Sequence, residues 1–232
     1  MGRLFWAMLL LAVSGIAHAQ LKHYSLQDGT RALPKKLVVL PVQVRVSEIS
    51  AGGIVELVPQ LTEQASGLLS KATESAAGTR TDFALSALPV LSDEEKDQME
   101  DFLSTFLVVG ATAYQMARMG GPPWEHKRTH FDYTLGSGLE FIRTKTGADA
   151  AIVVVANDYV SSSGRKAMFA LGLVLGVGIP MGQSEVAAAM VDLSSGDILW
   201  MDYRVGLKNL ADPQSAPELM GELLGRYPQA AN

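Results

Sequence analysis

The sequence predicts an α/β (α+β) domain, a mixed β-sheet flanked by helices that ends in a β-hairpin and a short helix. Three observations predict it. Apolar strand-like runs at 37–46 and 148–156 alternate with stretches of helical spacing, and Gly and Pro clusters punctuate between them. Two strand-length segments near the end flank Ser194-Ser195-Gly196. Strands alternating with helices and finishing in a hairpin imply a sheet with helices packed on it.

The elements follow in order. Residues 1–19 read as a signal peptide: Met1-Gly2-Arg3 is a positive n-region, 4–16 an apolar h-region, and Ala17-His18-Ala19 a small-x-small cleavage pattern. The apolar run is too short to span a bilayer. Residues 20–36 form a polar N-terminal arm, and 37–227 one α/β domain. Residues 37–46, LVVLPVQVRV, begin apolar throughout and then alternate. This is a strand buried on both faces in its first half, with Pro41 marking an edge or a bulge. Residues 54–76 have helical spacing, and 83–90 is a short strand.

Ser92 and Glu95 form a capping box, with Asp93, Glu94 and Glu95 suited to the positive end of a helix. Apolar spacing from Met99 continues toward Met116, as one helix or as two meeting near Gly110. Gly120-Gly121-Pro122-Pro123 stops it, and the polar loop WEHKRTHFDY follows. Residues 135–146 form a short helix closed by Gly147, and 148–156 a strand with an apolar centre. A glycine-rich apolar insertion at 164–182 precedes the hairpin, strands 184–193 and 197–205. Residues 217–227 close the chain as a helix.

Composition excludes several functions. The chain has 19 basic against 24 acidic residues, and removal of Arg3 with the signal leaves 18 basic. No cluster of Lys and Arg interleaved with aromatics offers the basic face that nucleic acid requires. There is no cysteine, so no disulfide and no lipid-bearing cysteine at the cleavage site. The 213 residues after the signal are enough to be stabilised by core burial alone.

Candidate chemistry is sparse. His126 and His130 are four apart, with Glu125 and Asp132 nearby, which on a helix would place both rings on one face as in zinc sites. The proline pair upstream and the missing H-E-x-x-H order make a solvated loop the competing reading. Ser161-Ser162-Ser163-Gly164 is not a nucleophile elbow. SSSGRK could present backbone N–H groups at a helix start but lacks the phosphate-loop spacing. The expected catalytic, metal and cofactor residues are therefore none.

Two motifs carry a family resemblance. Gly147-Ala148-Asp149 followed by an apolar run, and Asp192-Leu193-Ser194-Ser195-Gly196-Asp197-Ile198-Leu199-Trp200, resemble bacterial envelope accessory proteins related to the amino-terminal domain of TolB. That group includes the curli-secretion lipoprotein and the lipoprotein activators of penicillin-binding proteins. The resemblance implies a TolB-like fold and a non-catalytic envelope protein that binds other proteins. Its relatives are mostly lipoproteins, and this chain lacks their cysteine.

The insertion 164–182, GRKAMFALGLVLGVGIPMG, admits four readings. A spanning helix needs about 20 apolar residues, and a membrane β-hairpin would alternate. The other two share a helix from 166 to about 177, notched by Gly172 and Gly176 so that another backbone comes close. It packs either inward as core or outward on a partner or membrane surface, and then Phe169, Leu173, Val174 and Val177 make the contact.

The functional expectation is an exported periplasmic protein that binds an envelope protein in assembly or maintenance. The alternatives are a metal-dependent hydrolase using His126 and His130, and a membrane-associated oligomer formed through 164–182. Intact-mass measurement of the exported protein is expected to give a chain beginning at Gln20, and a mass that retains residues 1–19 would overturn the signal-peptide reading.

Overall fold

The computed structural model describes residues 20–206 and 208–229; the expected signal peptide, 1–19, lies outside the described residues. The strands are β1 (Leu21–Lys22), β2 (Lys36–Val39), β3 (Gln43–Ile49), β4 (Val55–Leu57), β5 (Ala84–Ser86), β6 (Ala150–Ser161), β7 (Ser184–Asp192) and β8 (Ile198–Gly206). The helices are α1 (Tyr24–Gln27), α2 (Pro59–Gly78), α3 (Asp93–Arg118), α4 (Glu125–Thr129), α5 (Glu140–Thr146), α6 (Ser163–Leu175) and α7 (Ser215–Gly225).

Among the described residues the strands form one mixed sheet in the order β1-β8-β7-β6-β2-β5. β2 and β3 lie end to end along β6, both parallel to it, and β4 turns back on β3. β7 and β8 continue antiparallel as the predicted hairpin. The mixed α/β class is as the alternation of elements predicts.

β6 explains its own composition. Ala150, Ile152, Val154 and Ala156 face one core, while Ala151, Val153 and Val155 face another. A strand apolar on both faces needs cover on both. α2 and α7 supply it on the first side through Leu69, Ala72, Leu219 and Leu223. On the second side α3 and α5 do so through Phe102, Leu103, Phe106 and Ile142.

The two motifs do structural work here. Gly147 caps α5 in the left-handed conformation at φ 65°, which any Cβ would strain. Asp149 then accepts hydrogen bonds from the backbone N–H groups of Lys35 and Lys36, both at 3.1 Å, fixing the start of β2 beside β6. In the hairpin, Asp192 Oδ1 accepts from the N–H groups of Ser194 (2.8 Å) and Ser195 (2.9 Å). Gly196, at φ 74°, passes so close to Gly136 that a Cβ would lie 2.0 Å from its carbonyl oxygen. Arg31 bridges Asp192 and Asp197 across the turn. Burial opposes ionisation of Asp192, but bonds from Ser194 and Ser195 and the Arg31 charge outweigh it and hold the carboxyl below its usual range. Trp200 is fully buried against Tyr227 of the closing segment.

Other expectations are corrected. The strand predicted over 37–46 is two strands. Val39 pairs with Ile152 and Gln43 with Val155, so the stretch around Pro41 holds one residue more than β6 beside it, a bulge where proline has no N–H to give. The helix predicted from residue 54 begins at Pro59. Ser50-Ala51-Gly52-Gly53 turns the chain, Val55–Leu57 pairs with β3, and proline sets the first helical turn. The predicted N-terminal arm, 20–36, joins the sheet, because Leu21 and Lys22 pair with Met201 and Trp200. The polar loop after Pro123 contains α4.

α3 is one helix through Gly110, which faces Phe106 and Met201 where a side chain would crowd them. Its capping box forms as predicted: Ser92 Oγ accepts from Glu95 N–H, and the Glu95 carboxylate accepts from Ser92 N–H.

Core and surface are separable by stability. Leu69→Ala, at a site with no exposure, is expected to cost about 3 kcal/mol in urea unfolding. Val174→Ala, at a site 82% exposed, is expected to stay within about 0.5 kcal/mol.

Candidate docking surface

Residues 162–182 form a tongue at the end of β6: a helix runs out and an extended segment runs back. Ser162 starts it, its Oγ accepting from Arg165 N–H at 3.1 Å. The helix-forming run of Ala, Met, Phe and Leu carries α6 to Gly176, which ends it in the left-handed conformation at φ 70°. Val177 N–H then donates to Gly172 O at 2.8 Å, and Arg165 Nε to Pro180 O at 3.0 Å. At the root, Gly182 N–H donates to Ser161 Oγ at 2.8 Å. Gly182 must be glycine, since a Cβ there would lie 1.7 Å from the Tyr159 carbonyl oxygen.

The predicted glycine notch is corrected in its purpose. A Cβ on Gly172 would meet Val177 O at 2.6 Å and Ile179 at 3.1 Å, so the notch admits the tongue's own return segment. Gly176 has nothing within 4 Å of a would-be Cβ and serves as the helix stop.

The inward-packed reading is overturned. Only Gly172 of α6 is buried. Exposure climbs from Met168 (43%) at the base to Val174 (82%) near the tip, with Leu173, Leu175 and Val177 all more than half exposed. Of the expected contact residues, Leu173, Val174 and Val177 are exposed and Phe169 is half-buried. At 100° per residue, the exposed positions from Leu173 round to Met168 sweep about 220° of the helix, against roughly 100° for an ordinary amphipathic stripe.

The root of the tongue rests on the β3–β4 hairpin. Ser162 N–H donates to Ile49 O at 3.0 Å, and Gly164 lies against Ala51. That hairpin adds exposed Ile54, Val55 and Leu57 to the same end of the molecule.

A groove of about 700 Å3 opens beside the root, between α3 and the ends of β6, β7 and β8. Tyr114 and Tyr203 stack within it at 3.8 Å, the Arg118 guanidinium lies 5.7 Å over Tyr114, and Tyr203 O–H donates to Glu185 at 2.8 Å. Burial and the Glu185 bond push the Tyr203 phenol up, so it stays a donor. Sequence reasoning missed this groove, because it exists only where α3 crosses strands far away in sequence.

The histidines are placed otherwise than in a zinc site. His126 and His130 stack at 4.7 Å, His126 Nε2 lies 2.9 Å from Asp132 Oδ2, and Lys127 binds the same carboxylate. Among the described residues no group of three or more His, Cys, Asp or Glu is arranged to hold a metal ion. Nor is any helix among them long and apolar enough to cross a membrane.

The chain matches no family model and no curated protein. Among solved structures it is similar to a PelC dodecamer from Paraburkholderia phytofirmans, at 9% identity over 89% of this chain and 95% of that one, with a TM-score of 0.36. A second PelC dodecamer from the same organism, a point variant, gives 12% identity over 93% and 98% of the two chains, again with a TM-score of 0.36. A likeness this slight says nothing about what the chain does.

One buried titratable group gives a pH expectation. His23 is buried beside Tyr24 and bonded to Ser25; desolvation lowers its pKa and wins over the opposing charges of Asp197, Asp132 and Asp28. The unfolded chain therefore takes the proton first. Stability is complete above about pH 6.5 and falls as pH drops through the window below it. Urea unfolding of His23→Gln is expected to show a flatter dependence there than the parent.

Proposed function

We propose that this chain is an exported, non-catalytic periplasmic protein that binds a protein partner in assembly or maintenance of the cell envelope, as a relative of the TolB-like accessory proteins. The tongue carries the reading. An apolar helix exposed over most of its circumference is a liability in a monomer unless something covers it. Phe169, Leu173, Val174 and Val177 offer that contact. The neighbouring groove adds Tyr114, Tyr203, Arg118 and Met119, residue types enriched at interface cores.

The hydrolase alternative has less to draw on. The carboxylate nearest the paired histidines, Asp132, already bonds both His126 and Lys127. These bonds, helped by the Lys127 and His126 charges, overcome the cost of burying the carboxyl and hold it below its usual range.

In-cell crosslinking is expected to capture an envelope protein with the parent chain. Phe169→Asp together with Leu173→Asp should reduce capture at least tenfold while the melting temperature holds. Capture that survives in the folded variant would sink the tongue as the contact.

A further inference from the structure

We infer that the tip of the tongue, Leu173 to Val177, inserts into one leaflet of a lipid bilayer, so that the protein works at a membrane surface. This rests on the tongue being the docking element and narrows that reading: lipid surrounds Leu173, Val174 and Val177, and the protein partner contacts Phe169 and the groove.

The first argument is the arc. A protein surface typically covers one side of a helix and is ringed by polar residues. From Ala167 on, about 220° of α6 is exposed and apolar, and the sequence holds no charged side chain from there to Ser184. Such a surface suits a surrounding apolar medium.

The second is length. Ala167 to Leu175 is about 12 Å of helix, while the hydrocarbon of one leaflet is about 15 Å thick and of the bilayer about 30 Å. The tongue reaches into one leaflet and cannot cross two.

The third is where charge and hydrogen bonds fall. Arg165 and Lys166 stand at the base, at the depth of anionic headgroups for a submerged tip, with Arg165 held by Pro180 O. At the tip, Gly176 and Val177 N–H donate to Leu173 and Gly172 carbonyls, which closes two of the N–H groups that a hydrocarbon medium would penalise.

Vesicle flotation of the exported protein, its N-terminus read by intact mass, tests this. The parent is expected to float with mixed phosphatidylethanolamine and phosphatidylglycerol vesicles and more weakly with phosphatidylcholine alone. Val174→Asp should lower partition about tenfold or more. Lys166→Gln should lower it about fivefold on anionic vesicles only. Val174→Trp should float at least as well as the parent and be quenched by brominated acyl chains.

The inference is overturned if the parent stays with the soluble fraction, or if Val174→Asp floats equally well. If Val174→Asp loses the crosslinked protein while the parent never floats, a protein socket covers the tip and the docking reading survives. If the parent forms oligomers without lipid that Val174→Asp dissolves, the occupant is a second copy. Loss of neither flotation nor crosslinking would sink the docking reading as well.

Discussion

The structure depends on burying β6 on both faces and along both edges. Its first seven residues carry no polar side chain, so their backbone must be paired on each side and their side chains covered above and below. β2 and β3 pair along one edge and β7 along the other, while α2 with α7 and α3 with α5 supply the two layers. The motif carboxylates serve this arrangement. Asp149 registers β2 against β6, and Asp192 shapes the turn that brings β8 back beside β7. Both bind backbone N–H groups that a loop would otherwise leave open.

Beyond Ala156 the cover on one face ends, and the groove and the tongue begin there. α3 leaves the ends of β6, β7 and β8 as one wall of a groove, with Tyr114 and Tyr203 stacked at its side. The tongue grows from the adjoining strand ends, clamped at its root by Ser161, Gly182 and the β3–β4 hairpin. A rigid root and an apolar tip form a projecting element that costs the fold little, since both cores are complete without it. It meets whatever lies beyond the molecular surface.

Much of the fold was legible in residue pattern, and the failures were local. Proline and glycine positions told where the chain turns, and Pro41 marked an edge or a bulge; that the bulge divides the run into two strands was not legible, because it depends on their pairing along β6. β4 read as helix because Ile54 and Val58 fit helical spacing; its pairing with β3 is a non-local fact. The arm from Gln20 is polar because it lies at a sheet edge, where composition does not reveal the β8 partner.

The sequence by itself determined the mixed α/β class, the capping box at Ser92, the hairpin turn at Gly196 and the apolar helix of the insertion, because each follows from local spacing and backbone preference. Phe169, Leu173, Val174 and Val177 were legible as one apolar run, since no polar residue interrupts it; the last three are exposed and Phe169 is half-buried. Only the tertiary structure decided that this helix points away from both cores, because apolar residues look alike in sequence whether covered or bare. It alone decided that Gly172 accommodates the tongue's own return segment, and that Tyr114 meets Tyr203. Those contacts join residues brought together by the crossing of a helix over a sheet.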